Sequence, residues 1–270
     1  MNEESFFQNV ASYKFLTKKE VGQNFLVDAS SAKRIVDALM IVPNEKVLEI
    51  GCGAGSLTYF LSNYDNEMDI IDIDEAMLSK VKEDFKSHSN LNIIYGNAAK
   101  YDYRPYQKII GNLPYYITSL IIENVLVGGE NLQKAVFMIQ KEAADRLLAK
   151  AGTKEYAPLS VLMGLCYQSK RLFNVSRNAF VPAPHVDSTV IEIVKTNEVP
   201  LEEGASAFKL ATALFRFRRK TIFNNLKNIV YDGDKTSTIL AATGIDEKSR
   251  PEDLTPLDYL KLSKAIKETK

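Results

Sequence analysis

The stretch from Val47 to Leu61 constrains the fold more than any other. A short apolar run, Val47-Leu48-Glu49-Ile50, stops at Gly51-Cys52-Gly53-Ala54-Gly55, and Ser56-Leu57-Thr58-Tyr59-Phe60-Leu61 follows with helix-like composition. This pattern predicts strand, tight turn, helix, because glycine reaches positive φ at little steric cost and lets a ligand approach the backbone where a Cβ would block it. The spacing is G-x-G-x-G, unlike the G-x-G-x-x-G of nicotinamide-binding turns, and no Gly-Lys-Ser/Thr follows to cradle a triphosphate. A buried βα turn without a ligand has the same local appearance, so a second feature is needed. Met68-Asp69-Ile70-Ile71-Asp72-Ile73-Asp74 supplies it. It reads as the next strand and leaves Asp72 near its carboxyl end, about 20 residues past the glycines, where a doubly wound sheet places an acid on a ribose diol. Residues 63–86 carry eight acidic and three basic residues, so position rather than acidity singles out Asp72.

Strands alternate with helices on either side of this pair. Asp28 is a candidate N-cap, Ile35, Val36, Leu39 and Met40 recur at helical spacing, and Pro43 ends that helix. Met77, Leu78, Val81 and Phe85 mark a second helix, Leu91 to Tyr95 a strand, and Lys108-Ile109-Ile110-Gly111 a strand running into Asn112-Leu113-Pro114-Tyr115-Tyr116. A strand over 135–140, helices over 141–150 and near Pro158, a strand near Leu172 and a last strand of the sheet over 189–194 follow. The expected fold class is α/β, a doubly wound, mostly parallel sheet with helices on both faces. Its ligands sit at the carboxyl ends of the strands, where Gly51, Asp72, Asn97 and Asn112 all fall. The polar segment 196–203, which contains Pro200, reads as a linker, and the remainder as helical. The expected partition is therefore 1–196 and 197–270, the second part being a small all-α domain.

Composition excludes several classes. With 270 residues, 46% of them apolar, the chain can bury a real core. Two cysteines, Cys52 and Cys166, make no disulfide framework, and the isolated His88 and His185 give no metal-ligand spacing. A reducing compartment and no metal are expected. The N-terminus lacks the basic and apolar regions of a signal peptide, and no apolar run approaches a membrane span, so a cytoplasmic protein is expected.

Asn112-Leu113-Pro114-Tyr115 is the most informative short motif. The N6 lone pair of adenine is delocalised into the ring, so methylating this amine requires acceptors that grip its hydrogens and pyramidalise it. The side-chain oxygen of Asn112 and the carbonyl of Leu113 can do so together, because Pro114 biases Leu113 to an extended conformation. Tyr115 then offers a face for the base, and a sulfonium placed by the glycine turn would stand in line with the amine. Catalysis is mainly positioning and electrostatics, with no strong base. An Asx-Pro turn closing a strand is the plainer alternative.

The formal net charge is zero, yet between Gly204 and Tyr231 there are six basic residues and no acidic one. Arg216, Arg219 and Lys220 are expected on one helix face, with Arg218 beside them and Phe215, Ile222, Leu226 and Ile229 pointing elsewhere. Such a cluster can track phosphates, although a solvated helix face looks the same. Cys52 reads as a small residue filling the turn and Cys166 as core. Phe6, Phe7, Tyr13 and Phe15 read as core staples rather than an RNA-facing lip.

With these motifs in hand, the chain resembles the rRNA adenine N6,N6-dimethyltransferases of the KsgA type, which modify small-subunit 16S rRNA. The resemblance rests on Gly22-Gln23-Asn24-Phe25-Leu26, Glu49 to Gly55, Asn112 to Tyr115, Gln140-Lys141-Glu142, Phe180 to Ser188 and Arg218-Arg219-Lys220-Thr221, in that order. It implies a Rossmann-like class I methyltransferase with a helical RNA-binding C-terminal domain. The implied cofactor is S-adenosyl-L-methionine, contacted by Asn24, Leu26, Gly51, Gly53, Asp72, Asn97 and Asn112. The target adenine is implied to lie between Tyr115 and Phe180, with Asn112 and Leu113 at its amine. The implied substrate is two adjacent adenosines in a loop near the 3′ end of small-subunit rRNA, met in the immature 30S subunit by a monomer. Asp72 stands where the family usually has Glu, Asn97 where it usually has Asp, Tyr116 where Asn is frequent and His185 where Lys is frequent. Two alternatives stay open: a large-subunit rRNA methyltransferase of the erythromycin-resistance type, and a non-catalytic ribosome-assembly or transcription factor on the same fold.

Overall fold

The computed structural model describes residues 2–13 and 23–269. Helix α1 (Glu3–Ser12) precedes strand β1 (Phe25–Leu26) and helix α2 (Ala29–Leu39). Then come β2 (Val47–Ile50), α3 (Ser56–Leu61), β3 (Met68–Asp72), α4 (Glu75–Asp84), β4 (Leu91–Tyr95), β5 (Lys108–Asn112) and α5 (Thr118–Gly128). They are followed by β6 (Lys134–Gln140), α6 (Lys141–Leu147), α7 (Pro158–Cys166), β7 (Tyr167–Val175), β8 (Phe180–Val181) and β9 (Ser188–Lys195). Four helices complete the chain: α8 (Leu201–Phe215), α9 (Ile222–Val230), α10 (Gly233–Thr243) and α11 (Pro256–Glu268).

Seven strands form one sheet in the order β4-β3-β2-β5-β6-β9-β7. The first five run parallel, and β9 pairs with β6 antiparallel. Every residue of β2 is buried, as a central strand covered on both faces by helices requires. Strand order reverses between β2 and β5, which opens a crevice at the carboxyl ends of those two strands. On one face α2 is capped by Asp28, whose carboxylate accepts from the Ser31 amide at 3.1 Å, and it buries Ile35, Val36 and Leu39. Met40, at φ 54, ends it. Phe6 and Phe7 are buried, and Phe6 stacks on Tyr59 with centroids 4.7 Å apart, so these aromatics are core staples for α3. Phe15 and Gly22 lie outside the described residues.

The strand expected over 189–194 as the last of the sheet is β9, the last strand in the chain, and it lies between β6 and β7 with β7 at the edge. Two features differ from expectation. The helix over 141–150 stops at Leu147. Two strands of two residues each, β1 and β8, pair antiparallel and join distant parts of the chain.

The chain divides into two compact units, Met1–Ala144 with Ser169–Val194 and Asp145–Gln168 with Lys195–Lys270. The partition expected at 196/197 left 145–168 with the sheet, whereas this segment packs with the C-terminal helices. Within that unit the Tyr156 and Phe215 rings lie 6.0 Å apart, the Thr196 amide donates to the Cys166 carbonyl at 2.8 Å, and Cys166 is buried.

The basic cluster is not on a helix face. Helix α8 ends at Phe215 and α9 begins at Ile222, so Arg216 to Lys220 form the turn between them. The buried Asn225 amide donates to the carbonyls of Phe217 at 3.1 Å and Lys220 at 3.2 Å, and Thr221 caps α9, which together hold this segment out of the helix.

One acid sits in the central strand. Glu49 is 1% exposed; one of its oxygens accepts from the Thr58 hydroxyl at 2.7 Å and the other has no hydrogen-bond partner. Burial, with the Asp72 charge adding, pushes its carboxyl up to about 7 from an ordinary 4.5, against the Thr58 hydrogen bond. In the unfolded chain the group ionises first, so stability fully present below pH 4.5 is lost as pH rises through 7. That gap corresponds to about 3 kcal/mol. Glu49→Gln keeps the shape and removes the titration, so the mutant should gain on wild type by about 3 kcal/mol between pH ~4.5 and ~8. Urea unfolding followed by circular dichroism at both pH values measures this. A pH-independent difference would mean that Glu49 stays ionised in the folded protein.

Candidate active site

The crevice at the strand reversal is built from backbone. Gly51 has φ +74°, its amide donates to Ile71 O at 2.8 Å, and a Cβ there would lie 3.4 Å from Asn112 O. Gly111, opposite Ile50 in the β2–β5 register, leaves no room for any side chain: a Cβ would lie 2.5 Å from Ile50 O. The two strands can thus end close together, with the glycine turn beside the Asn112 motif. A Cβ on Gly53 would meet the Phe25 ring at 3.2 Å, so the turn also abuts the strand that carries Asn24 and Leu26 toward it. The Ser56 hydroxyl fastens that strand by donating to Leu26 O at 2.6 Å.

Asp72 closes the far side. One oxygen accepts from the Gly53 amide at 3.1 Å and the Cys52 thiol at 3.7 Å, and the other from the Asp74 amide at 3.0 Å. A carboxylate has about four acceptor sites, so capacity remains for a ligand hydroxyl. Burial pushes the Cys52 thiol well up, with the Asp72 and Glu49 charges adding, which leaves it a packing residue and no nucleophile. On the near side Asn112 Nδ2 donates to Asn24 O at 3.5 Å, which leaves Oδ1 as the acceptor of that side chain. The Leu113 amide is held by Met138 O at 3.1 Å. The Tyr115 hydroxyl shares a 3.1 Å hydrogen bond with the fully buried Ser188 hydroxyl, which anchors the ring by its tip. Burial raises the Tyr115 pKa, partly opposed by that bond.

The structure brings Asn24, Gly51, Gly53, Asp72, Asn112, Leu113 and Tyr115 to one open cleft. Leu26 is 2% exposed and lines a small adjoining cavity together with Asn24, Gly51 and Asn112.

Two residues are not brought in. Asn97 caps the short helix Ala98–Lys100 through a 2.9 Å bond from the Ala99 amide and does not line the cleft. Phe180 is 3% exposed, faces Leu26 in the β1–β8 pair, and is absent from the cleft wall. Gln23, Phe25, Ile73 and Tyr116 line the cleft without having been assigned to it. Ile73 was legible, since an apolar residue directly after an acid at a strand end has no core face to occupy; it is 55% exposed. Among the described residues no group of three or more His, Cys, Asp or Glu could hold a metal ion, and no helix is long and apolar enough to cross a membrane.

Of the C-terminal basic residues, Arg216, Arg219 and Lys220 are exposed, whereas Arg218 is turned inward. Its guanidinium donates to Lys154 O at 2.9 Å and Thr153 O at 3.3 Å, and it pairs with Glu252 at 3.4 Å. Arg218 therefore pins the turn and is not free for a ligand.

Comparison with known proteins agrees with this geometry. The Ribosomal RNA adenine dimethylase family matches residues 14–268. A protein of Malacoplasma penetrans named Ribosomal RNA small subunit methyltransferase A is 36% identical over 265 residues, covering 96% of each chain. One of the same name from a Geobacillus strain is 35% identical over 270 residues, covering 94% of this chain and 93% of its own. Among solved structures, a dimethyladenosine transferase from Plasmodium falciparum superposes with TM-score 0.75 at 28% identity, over 87% of this chain and 94% of its own. The 23S rRNA methyltransferase ErmE, at TM-score 0.67 and 23% identity over 90% of this chain and all of its own, shares the fold. The large-subunit and non-catalytic alternatives are not favoured, since these curated relatives carry the small-subunit methyltransferase name. The chain belongs to the Ribosomal RNA adenine dimethylase family and is an S-adenosylmethionine-dependent rRNA methyltransferase.

Proposed function

We propose that this protein dimethylates N6 of two adjacent adenosines in a loop near the 3′ end of small-subunit rRNA, and that the cleft described above is where it does so. The observation that carries the reading is the meeting of Asn112 and Leu113 with Gly51 and Asp72 in one cleft at the strand reversal. When bound, S-adenosylmethionine supplies a methyl group activated on a sulfonium. The chain's own residues hold it and prepare the amine. Asp72 takes the ribose diol with its remaining acceptor capacity, the exposed Ile73 offers an apolar face to the donor's adenine, and Gly51 and Gly53 let the ligand lie against backbone. Asn112 Oδ1 and the Leu113 carbonyl accept the two N6 hydrogens and draw the nitrogen lone pair out of conjugation. Tyr115, anchored at Ser188, stacks on the target base. The N6 proton displaced by methyl transfer would pass to water. Phe180 serves the site from behind, by holding β1 in place. Asn97 shapes the turn after β4 and takes no part in gripping the donor. The proposed setting is the immature 30S subunit, met by a monomer in the cytoplasm.

Removing one oriented acceptor from the amine costs about a hundredfold in rate. Asn112→Ala should therefore slow single-turnover methylation of undermethylated small subunits by that order, while donor binding weakens without being lost. A wild-type single-turnover rate in this variant rules out the assigned role. Asp72→Ala should weaken S-adenosylmethionine by about 1.5–3 kcal/mol, the range for hydrogen bonds to a charged group, whereas Asn97→Asp should leave the affinity unchanged. Calorimetric titration of both variants decides the matter, and an unaltered Asp72→Ala places the ribose elsewhere.

A further inference from the structure

One aromatic side chain of the cleft wall is not packed into the core. Tyr116 lines the cleft and is 64% exposed, whereas the Tyr115 ring before it is anchored by its hydroxyl at the buried Ser188. The backbone that carries Tyr116 is fixed on its other side. The Ile117 amide donates to Pro114 O at 3.2 Å, and the hydroxyl of the buried Thr118 donates to the same carbonyl at 2.9 Å as α5 begins. Among the described residues Tyr116 makes no hydrogen bond and no ring contact, so its ring stands at the cleft rim without a partner. An aromatic side chain with two torsions on a fixed turn loses little entropy when a base settles on it. The chemistry also needs a stacking face at this place. Methylating an adenosine at N6 takes its base out of the RNA stack and into the cleft, which strips the neighbouring base of a stacking partner. The proposed substrate is two adjacent adenosines, so that neighbour is a purine with a broad π-face. Aromatic side chains stack on unpaired bases without hydrogen-bond readout, and the strength of the stack sets a modest preference among bases.

We propose that Tyr116 is a specificity-determining residue of the methylation site: its ring stacks on the base next to the adenine held at Asn112, replacing the partner which that base loses when its neighbour enters the cleft. The inference rests on the reading of the cleft as the site of adenosine methylation, and it names the side chain by which that site recognises the second member of the pair. Asn, which is frequent at this position in the family, has no ring to offer, so the contact is a property of this chain. It favours a purine over a pyrimidine beside the target. The preference acts on substrate affinity and not on the chemical step, since the stacked base does not touch the reacting amine.

Small subunits assembled on rRNA transcripts that carry guanosine or uridine at one position of the pair leave a single reactive adenosine beside a purine or a pyrimidine. Each position is substituted in turn, and single-turnover methylation is followed against particle concentration. In at least one of the two arrangements, the wild-type protein should need a several-fold higher half-saturating concentration beside uridine than beside guanosine, with the saturating rate the same. In that arrangement Tyr116→Ala should raise the half-saturating concentration of the guanosine particle on the order of tenfold, the loss of one base stack. It should also abolish the difference between guanosine and uridine and keep the saturating rate. Tyr116→Phe should retain the wild-type values, since the hydroxyl takes no part. S-adenosylmethionine affinity, measured by calorimetric titration, should be the same in all three proteins. A wild-type half-saturating concentration in Tyr116→Ala, or a raised one that keeps the guanosine–uridine difference, overturns the stacking role while leaving the methyltransferase reading intact. Weakened donor binding in Tyr116→Ala overturns it as well, by placing the ring against the donor. A wild-type protein that methylates neither adenosine of the natural pair defeats the reading of the cleft and this inference with it, which separates the two failures.

Discussion

The site depends on how closely two parallel strands end beside one another. Ile50 and Gly111 are register partners, and the 2.5 Å that a Cβ on Gly111 would leave to Ile50 O means that no other residue allows this approach. One residue further along each strand come Gly51 and Asn112. The glycine turn and the Asn112 motif are therefore neighbours because backbone, not side chain, fills the gap between them. Strand reversal provides the crevice, and the missing side chains provide its depth. Asn112 cannot drift from the turn without breaking the central ladder, so its geometry is supported by the most buried part of the protein.

A second constraint works at longer range. Two short strands separated by more than half the chain, Phe25–Leu26 and Phe180–Val181, pair antiparallel. This pairing carries the Asn24 backbone to the cleft, where it accepts from Asn112, and the Ser56 hydroxyl secures it from the other side. Phe180, the register partner of Leu26, is buried in the core, and a two-residue strand, which gains little from two ladder positions, needs such buried apolar area to persist.

Electrostatics around the turn are arranged economically. Asp72 accepts from the amides of Gly53 and Asp74, so this acid fixes the turn. Burial of Glu49 favours its neutral form, and the nearby Asp72 charge adds to this. The same surroundings keep Cys52 protonated. In the helical unit the adjacent Arg218 and Arg219 have opposite fates, one consumed by Thr153, Lys154 and Glu252 and the other exposed.

The sequence by itself determined the parts whose physics is local. Positive φ at Gly51 is a property of glycine in a tight βα turn, an acid at the end of the following strand is a matter of spacing, and Asn112-Leu113-Pro114 sets its own backbone. These features made the doubly wound fold class and six of the cleft-lining residues legible before any coordinates, while Asn24 was implied by the family resemblance. What only tertiary structure decided depends on partners distant in the chain. Asn97 turned to cap its own short helix, a choice that a side chain makes among competing acceptors and donors once the turn is folded. Phe180 went inside because β8 found β1, and two-residue strands have no periodicity to read. The basic segment read as a helix face because its composition suits one, yet Asn225 and Thr221 claim its backbone for a turn, and the carbonyls of 153–154 claim Arg218. Charge can be counted along a sequence, but whether a given cation is spent on the protein or left for a ligand is settled by which carbonyls the fold brings within reach.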